Sequence, residues 1–260
     1  MELTAVSATQ FSVAQLTTIL SDCFEDYLVP VSLPLAVFVQ RFSSEGLSLL
    51  DSCVWLDGET PAAIAIVARR GDEARLAAFA VRPAWRGKGM GRRLMTPLMT
   101  SLREQGVRRM WLEVIRENYA AVALYQSLGF VVHHGLCGFV STRAEDAAAA
   151  VLEEGDVLPL LRRAGAEING RLPWLDGPVY LRYAAMPDAH SESAGFCGAG
   201  NLNLHAAATV FVVEPSVRGR GLAHEMLRAL ARQFPGLSTS VIIPNHLRRC
   251  LARRGMRPWR

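Results

Sequence analysis

The chain has 260 residues, half of them apolar and a fifth charged, with a formal net charge of +4. That composition fits one large globular domain or two ordinary ones and excludes a disordered chain, and no apolar run is long enough to cross a bilayer. No basic stretch follows Met1, so no signal peptide is expected, and Cys23, Cys53, Cys137, Cys197 and Cys250 form no C-x-x-C, which favours reduced thiols in a cytoplasm.

In chain order, the hydrophobic pattern predicts a strand over Leu3–Val6 and then a helix over Val13–Tyr27. Val13, Leu16, Ile19, Leu20, Cys23 and Phe24 share one face of that helix. Pro30 and Pro34 end it, and a second helix is expected over Leu35–Phe42. Strands at Leu49–Leu56 and Ala62–Ala68 flank the Asp57-Gly58 turn as a hairpin, and a further strand leads from Gly71-Asp72 to Val81. A helix over Gly89–Arg103 carries an apolar stripe of Met90, Leu94, Met95, Leu98 and Leu102, with Pro97 inside it and Gly106 as its cap. Then come a strand over Arg108–Ile115, a helix over Asn118–Leu128, and strands near Phe130–His133 and Leu136–Ser141.

Phe79 to Gly91 is the stretch that carries chemistry: a strand stopped by Pro83, a glycine-rich turn, and a helix start. A helix start offers unpaired N–H groups and partial positive charge, and glycines let an anion reach the backbone. Arg86 and Lys88 add formal charge there. The P-loop spacing is absent, and Gly87, Gly89 and Gly91 give G-x-G-x-G rather than the dinucleotide G-x-G-x-x-G. The full pattern, V-x-P-x-x-R-G-x-G-x-G, resembles the acetyl-CoA pyrophosphate loop of the GNAT superfamily of N-acetyltransferases. Trp111-Leu112-Glu113-Val114 followed by Asn118, Ala121, Leu124-Tyr125 and Leu128-Gly129-Phe130 resembles that family's second CoA-binding segment.

The resemblance implies direct transfer of an acetyl group from acetyl-CoA to a primary amine within one ternary complex, an acyltransferase reaction of the EC 2.3.1 type. It places CoA on Phe79, Ala80, Val81, Arg86, Gly87, Lys88, Gly89, Met90, Gly91, Asn118, Ala121 and Tyr125, and implies no metal. Tyr125 stands where the family keeps a tyrosine that protonates the departing thiolate; a plain core tyrosine is the alternative. Glu113 resembles the glutamate of the ribosomal-protein alanine N-acetyltransferases and is the base candidate, with an ion-paired strand-end carboxylate or a water relay as the alternatives. Ser21–Tyr27, with three carboxylates beside two aromatics, is a candidate cation-attracting acceptor wall or an ordinary solvated helix end.

The stretch returns 132 residues later. Phe211, Val213, Pro215, Arg218, Gly219 and Gly221 coincide with Phe79, Val81, Pro83, Arg86, Gly87 and Gly89, and Leu222, Met226, Leu227 and Leu230 continue the helical stripe. Two tandem GNAT-like domains are therefore expected, 1–143 and 144–260, each a mixed α/β (α+β) unit with a mostly antiparallel sheet flanked by helices. Leu251 stands at the position of Tyr125, so the second copy is read as degenerate and catalysis as residing in the first. His190–Gly200 fits no pattern, and the second copy is expected to lack a last strand. One chain then supplies both halves of a pseudo-dimer, so a monomer is expected.

The acceptor is expected to be a small-molecule amine or a peptide N-terminus, with no membrane involved. Arg248, Arg249, Arg253, Arg254, Arg257 and Arg260 lack interleaved aromatics, and nucleic acid is not the expected partner. A non-catalytic acyl-CoA-binding or sensing protein is the alternative function.

Overall fold

The computed structural model describes residues 3–29 and 34–141, and beyond them 153–154, 188–192, 195–202, 205–213, 220–233, 238–239, 243–244 and 256–258. The chain divides into two compact units, Met1–Val131 and Val132–Arg260.

The first unit is a five-stranded sheet of β1 (Thr4–Ser7), β2 (Leu47–Asp57), β3 (Thr60–Arg70), β4 (Glu73–Val81) and β5 (Arg109–Leu112), in that spatial order. All neighbours are antiparallel except β4 and β5, which the crossover through α3 (Met90–Glu104) makes parallel. From Ala62 to Ala68 every residue of β3 is buried, as expected of an unbroken apolar run covered on both faces. One face is covered by α1 (Val13–Cys23) and α2 (Leu35–Glu45), through Leu16, Ile19, Leu20 and Phe38. A capping box between Ser12 and Gln15 starts α1. The other face takes α3 along its expected stripe, with Tyr125 and Leu128 at the end of α4 (Tyr119–Ser127) packed beside it. Each buried stripe residue contributes about 1.5–3 kcal/mol.

Strand β4 is irregular in two places. Ile66 pairs with Ala78 but Val67 pairs with Leu76, so Ala77 is an extra residue and forms a β-bulge. Alternation breaks there, and Ala77 and Ala78 both pack toward α1 and α2. On the other edge, pairing with β5 stops at Leu76↔Leu112 while β4 runs on to Val81, so the two strands part.

The second unit repeats this register. Ala63↔Val81 and Ile66↔Ala78 in the first sheet have counterparts Gly195↔Val213 and Gly198↔Val210, each residue displaced by 132 positions. The bulge recurs between Gly198 and Ala199. The last six strands are β9 (Asp188–Glu192), β10 (Gly195–Leu202), β11 (His205–Val213), β12 (Ser238–Thr239), β13 (Ile243–Pro244) and β14 (Met256–Pro258), and α5 spans Leu222–Gln233. As β4 does with β5, β11 pairs in parallel with β12. Gly221 precedes α5 at φ +89°, as Gly89 precedes α3 at φ +69°.

Three expectations are corrected. Phe130–His133 is irregular, with Val131 and Val132 exposed, because no neighbouring strand takes up its backbone groups among the described residues. His190–Gly200 is mostly strand. The second copy's β14 follows Gly255 as Phe130–Val132 follow Gly129, so it answers that stretch and not Leu136–Ser141. Finally, β6 (Leu136–Cys137) and β7 (Phe139–Ser141), expected to complete the first sheet, pair in the second unit. There β7 lies between β12 and β14, in a sheet that ends at β8 (Glu153–Glu154), and β6 pairs with β13.

Candidate active site

The glycine turn has the conformation an anion cradle needs. Gly87, Lys88 and Gly89 all have positive φ, at +75°, +51° and +69°. The amides of Gly87, Lys88, Gly89, Gly91 and Arg92 find no acceptor among the described residues. A Cβ built on Gly89 would meet nothing within 4 Å, so the turn faces open space. Unpaired amides at the start of a fifteen-residue helix favour negative charge. Gly91 serves packing instead: a Cβ there would come 2.6 Å from Cδ2 of Leu124 on α4.

Other loop residues divide the same way. The Met90 side chain is buried in the stripe, and its amide donates to the Gly87 carbonyl at 3.0 Å. Arg86 holds the loop to its surroundings: Nε donates to the Val81 carbonyl at 2.8 Å, and Nη2 donates to the carbonyls of Cys23 and Glu25. Lys88 is exposed. Phe79 packs edge-on against Trp55, and Ala80 is buried under α1. The backbone of Ala77–Val81, beyond the last pair with β5, lines the opening between the strands.

Beside that opening sits a string of alternating charge. Arg75, 5% exposed, donates through Nη1 to Glu45 at 2.9 Å and through Nε to Glu113 at 2.8 Å. Glu45, 7% exposed at the end of α2, also takes Nη2 of Arg41 at 3.0 Å. Burial raises the Glu45 pKa, but Arg41 and Arg75 outweigh it and hold the carboxyl below its ordinary range. Glu113 is thus ion-paired, as its alternative reading had it, in a partly buried setting just past the end of β5.

Tyr125 is half-buried and edge-on to Phe130 at 5.7 Å. Burial, with a smaller contribution from Tyr27, pushes its phenol up to about 12, so it holds its proton throughout the neutral range. Asn118 caps α4: its Oδ1 accepts from the Ala121 amide at 3.1 Å, and its Nδ2 donates to the Tyr27 hydroxyl at 3.4 Å. Tyr27 thereby joins the end of α1 to the site. Burial likewise pushes the Cys23 thiol up to about 11, so it is no thiolate nucleophile at neutral pH.

The acidic wall expected at Ser21–Tyr27 is partly neutralised, since Asp22 pairs with Arg82. Sequence reasoning missed Arg75, Glu45 and Arg41. The available signal was a lone arginine inside the otherwise apolar run Ala74–Val81. Arg218, Gly219, Asn245, Leu251 and the arginines of the tail, apart from Arg257 in β14, lie outside the described residues. No helix among the described residues is long and apolar enough to cross a membrane.

A parted β4–β5 pair beside a free-amide helix start, on a mixed and mostly antiparallel sheet with flanking helices, defines the GNAT fold for the first unit. Residues 13–130 match the model of the Acetyltransferase (GNAT) family. The [Ribosomal protein bS18]-alanine N-acetyltransferase of Escherichia coli (strain K12) is 49% identical over 59 residues, which is 23% of this chain and 40% of that protein. This chain therefore spans well under half the length of that relative. Among solved structures, a GCN5-related N-acetyltransferase from Sphaerobacter thermophilus matches with a TM-score of 0.66 at 18% identity, covering 99% of this chain and 92% of its own. A tandem GNAT protein from the clavulanic acid biosynthesis pathway matches with a TM-score of 0.64 at 14% identity, covering 99% and 95%. At those identities the likeness is one of fold.

Proposed function

We propose that the first unit is an acetyl-CoA-dependent N-acetyltransferase acting on a primary amine, either a small molecule or a peptide N-terminus. The observation that carries this is the set of unpaired amides of Gly87, Lys88, Gly89, Gly91 and Arg92 next to the opening between β4 and β5. The cradle fits a pyrophosphate: it has free donors, left-handed backbone and open space where a side chain would stand. Acetyl-CoA would supply the activated thioester. Backbone groups of Ala77–Val81 would orient the acyl group and stabilise the oxyanion, the Glu113 carboxylate would take the proton lost by the amine, directly or through water, and Tyr125 would give one to the sulfur. The relative's name, an alanine N-acetyltransferase, supports the choice of an amine as acceptor. Incubation with acetyl-CoA and a panel of amines, read by thiol release, tests the reading. CoA binding with no release for any amine would favour a sensor instead.

Gly89→Asp checks the cradle. Aspartate tolerates the left-handed backbone better than most residues, so the main effect is a carboxylate placed where the anion belongs. CoA affinity should fall by at least ~2 kcal/mol, about thirtyfold. Unchanged binding by calorimetry would remove the pyrophosphate from this loop.

The second unit is proposed to be a duplicated, degenerate GNAT-like domain, with the sequence repeat dividing the chain as 1–143 and 144–260. The constant 132-residue displacement of paired strands and their shared bulge support it. With both halves in one chain, the protein should sediment as a monomer, and a stable dimer at low micromolar concentration would count against this.

A further inference from the structure

We propose that Lys88 is a modification site: its amine is acetylated by small acyl phosphates whose phosphate group seats in the glycine turn when no CoA is bound. The assignment rests on the transferase reading and names a regulation of that same cradle. Lys88 is the only lysine in the chain, and every other member of its 28 lysines and arginines is an arginine. Where charge alone is wanted this chain uses arginine, and Arg220 stands at the position displaced by 132 from Lys88. What lysine adds is an amine that can lose its proton and be acylated. The backbone points the same way. Lys88 sits at φ +51°, in the left-handed region where a side chain is held at a cost, and its chemistry is what offsets that cost.

Its surroundings leave that amine unoccupied. Arg82 pairs with Asp22, Arg86 donates to three carbonyls, and Arg92 donates through Nη2 to the Ser127 carbonyl at 3.1 Å. Lys88, by contrast, is exposed and makes no hydrogen bond or ion pair among the described residues. Its own amide and those of Gly87 and Gly89 on either side are unpaired as well. An uncommitted amine therefore stands among the donors that would hold a phosphate.

An acyl phosphate fits this arrangement because a single oxygen joins its phosphorus to its electrophilic carbon. With the phosphate on the amides, the acyl carbon comes within the span of a lysine side chain. The neutral Lys88 amine adds to that carbon and a C–N bond forms. The C–O bond to phosphate breaks, phosphate leaves with the electron pair, and the surplus proton on nitrogen passes to water. The amides stabilise the charge that the leaving phosphate takes up. Acetyl-CoA in its proposed seat does not react in this way. Its pyrophosphate fills the turn, and its pantetheine arm carries the thioester off toward the opening between β4 and β5. CoA is thus a protecting ligand, and acetylation weakens its return by removing a positive charge from the turn.

The test incubates the full chain with acetyl phosphate and follows acetylation on the peptide containing Lys88 by mass spectrometry. A synthetic Arg82–Arg93 peptide with a blocked N-terminus, which has the same lysine and no fold, is the reference. Lys88 in the protein should react about tenfold faster or more, a modest share of the gain available from holding two reactants together. CoA and inorganic pyrophosphate should each suppress the reaction, and acetyl-CoA in place of acetyl phosphate should label the protein no faster than the peptide. Treated protein should bind CoA about three- to fivefold more weakly by calorimetry, the loss expected for one exposed charge pair. Lys88→Gln should show the same loss without treatment, and treatment should change nothing in Lys88→Arg. Equal rates in protein and peptide, protection by neither compound, labelling by acetyl-CoA instead, or CoA affinity unmoved by acetylation would overturn the assignment. Failure of the transferase reading looks different: CoA neither binds nor protects, whereas inorganic pyrophosphate still protects Lys88.

Discussion

Tyr125→Phe should lower kcat by about 10² or more and leave CoA affinity nearly unchanged. The substitution removes a hydroxyl and keeps the ring, so the edge-on contact with Phe130 and the packing against the α3 face survive. On the mechanism proposed above, what is lost is the proton for a departing thiolate, and general-acid catalysis of this kind contributes about 10²–10⁴ in rate, or ~2.7 kcal/mol at its lower end. With its phenol at about 12, Tyr125 is a weaker acid than a thiol of about 8.5, so the proton should move late, as the C–S bond breaks. The raised value has a second consequence. Loss of the Tyr125 proton cannot cause an alkaline fall in activity until the pH approaches 12, and any earlier limb belongs to another group. Arg218→Ala in the proposed second copy should leave turnover within about threefold, since a domain in the supporting role proposed for it contributes stability rather than transition-state contacts. Were Arg218→Ala to abolish activity while Tyr125→Phe did not, catalysis would belong to the other half.

Arg75→Met should cost about 3 kcal/mol of stability, measured by denaturant unfolding, because it leaves two carboxylates without their shared partner in a buried setting. Removing one member of a buried ion pair costs about 3–5 kcal/mol, far more than the net worth of the pair. The lower end is expected because Glu45 keeps Arg41 and Glu113 is partly exposed and can rehydrate. Methionine fills much of the vacated space, so the loss is electrostatic rather than a cavity. The pH dependence has a definite sign. Glu45 is held below its ordinary value of 4.5, so its contribution is present above about that pH and is lost as the pH falls through the lower folded value. In Arg75→Met the Glu45 pKa should rise, and the wild type should lose its advantage on acidification. Equal stability of the two proteins at pH 7 would show that the string is not held together through Arg75.

Part of this was legible because side-chain chemistry and backbone demand coincide there. Met90, Leu94, Met95, Leu98 and Leu102 repeat at helical spacing and are all buried on α3. Ala62–Ala68 is an unbroken apolar run, which only a strand covered on both faces accommodates. The turn at Gly87–Gly89 needs positive φ, and glycine marks that need in the sequence. The bulge at Ala77 left no such mark, since one alanine among several does not announce an extra residue in a ladder. Nor did His190–Gly200, where small side chains carry no alternation and the strands are held by backbone bonds. Phe130-Val131-Val132 misled in the other direction, having strand propensity but no strand beside it among the described residues. Arg75 was visible as an oddity, but its partners Glu45 and Glu113 lie 30 and 38 residues away, and only the fold brings them together.

The strand Phe139–Ser141 precedes the repeat boundary proposed above and is built into the second unit's sheet. Among the described residues β14 pairs with it alone, so removing it would strip the last strand of its neighbour. Cutting the gene at the proposed repeat boundary would therefore not return two self-contained halves. It would return a second half with a gap between β12 and β14, and a first half ending in a strand with no sheet to join. Under the duplication proposed above, the second copy depends on a strand encoded with the first, so the two can no longer be inherited apart.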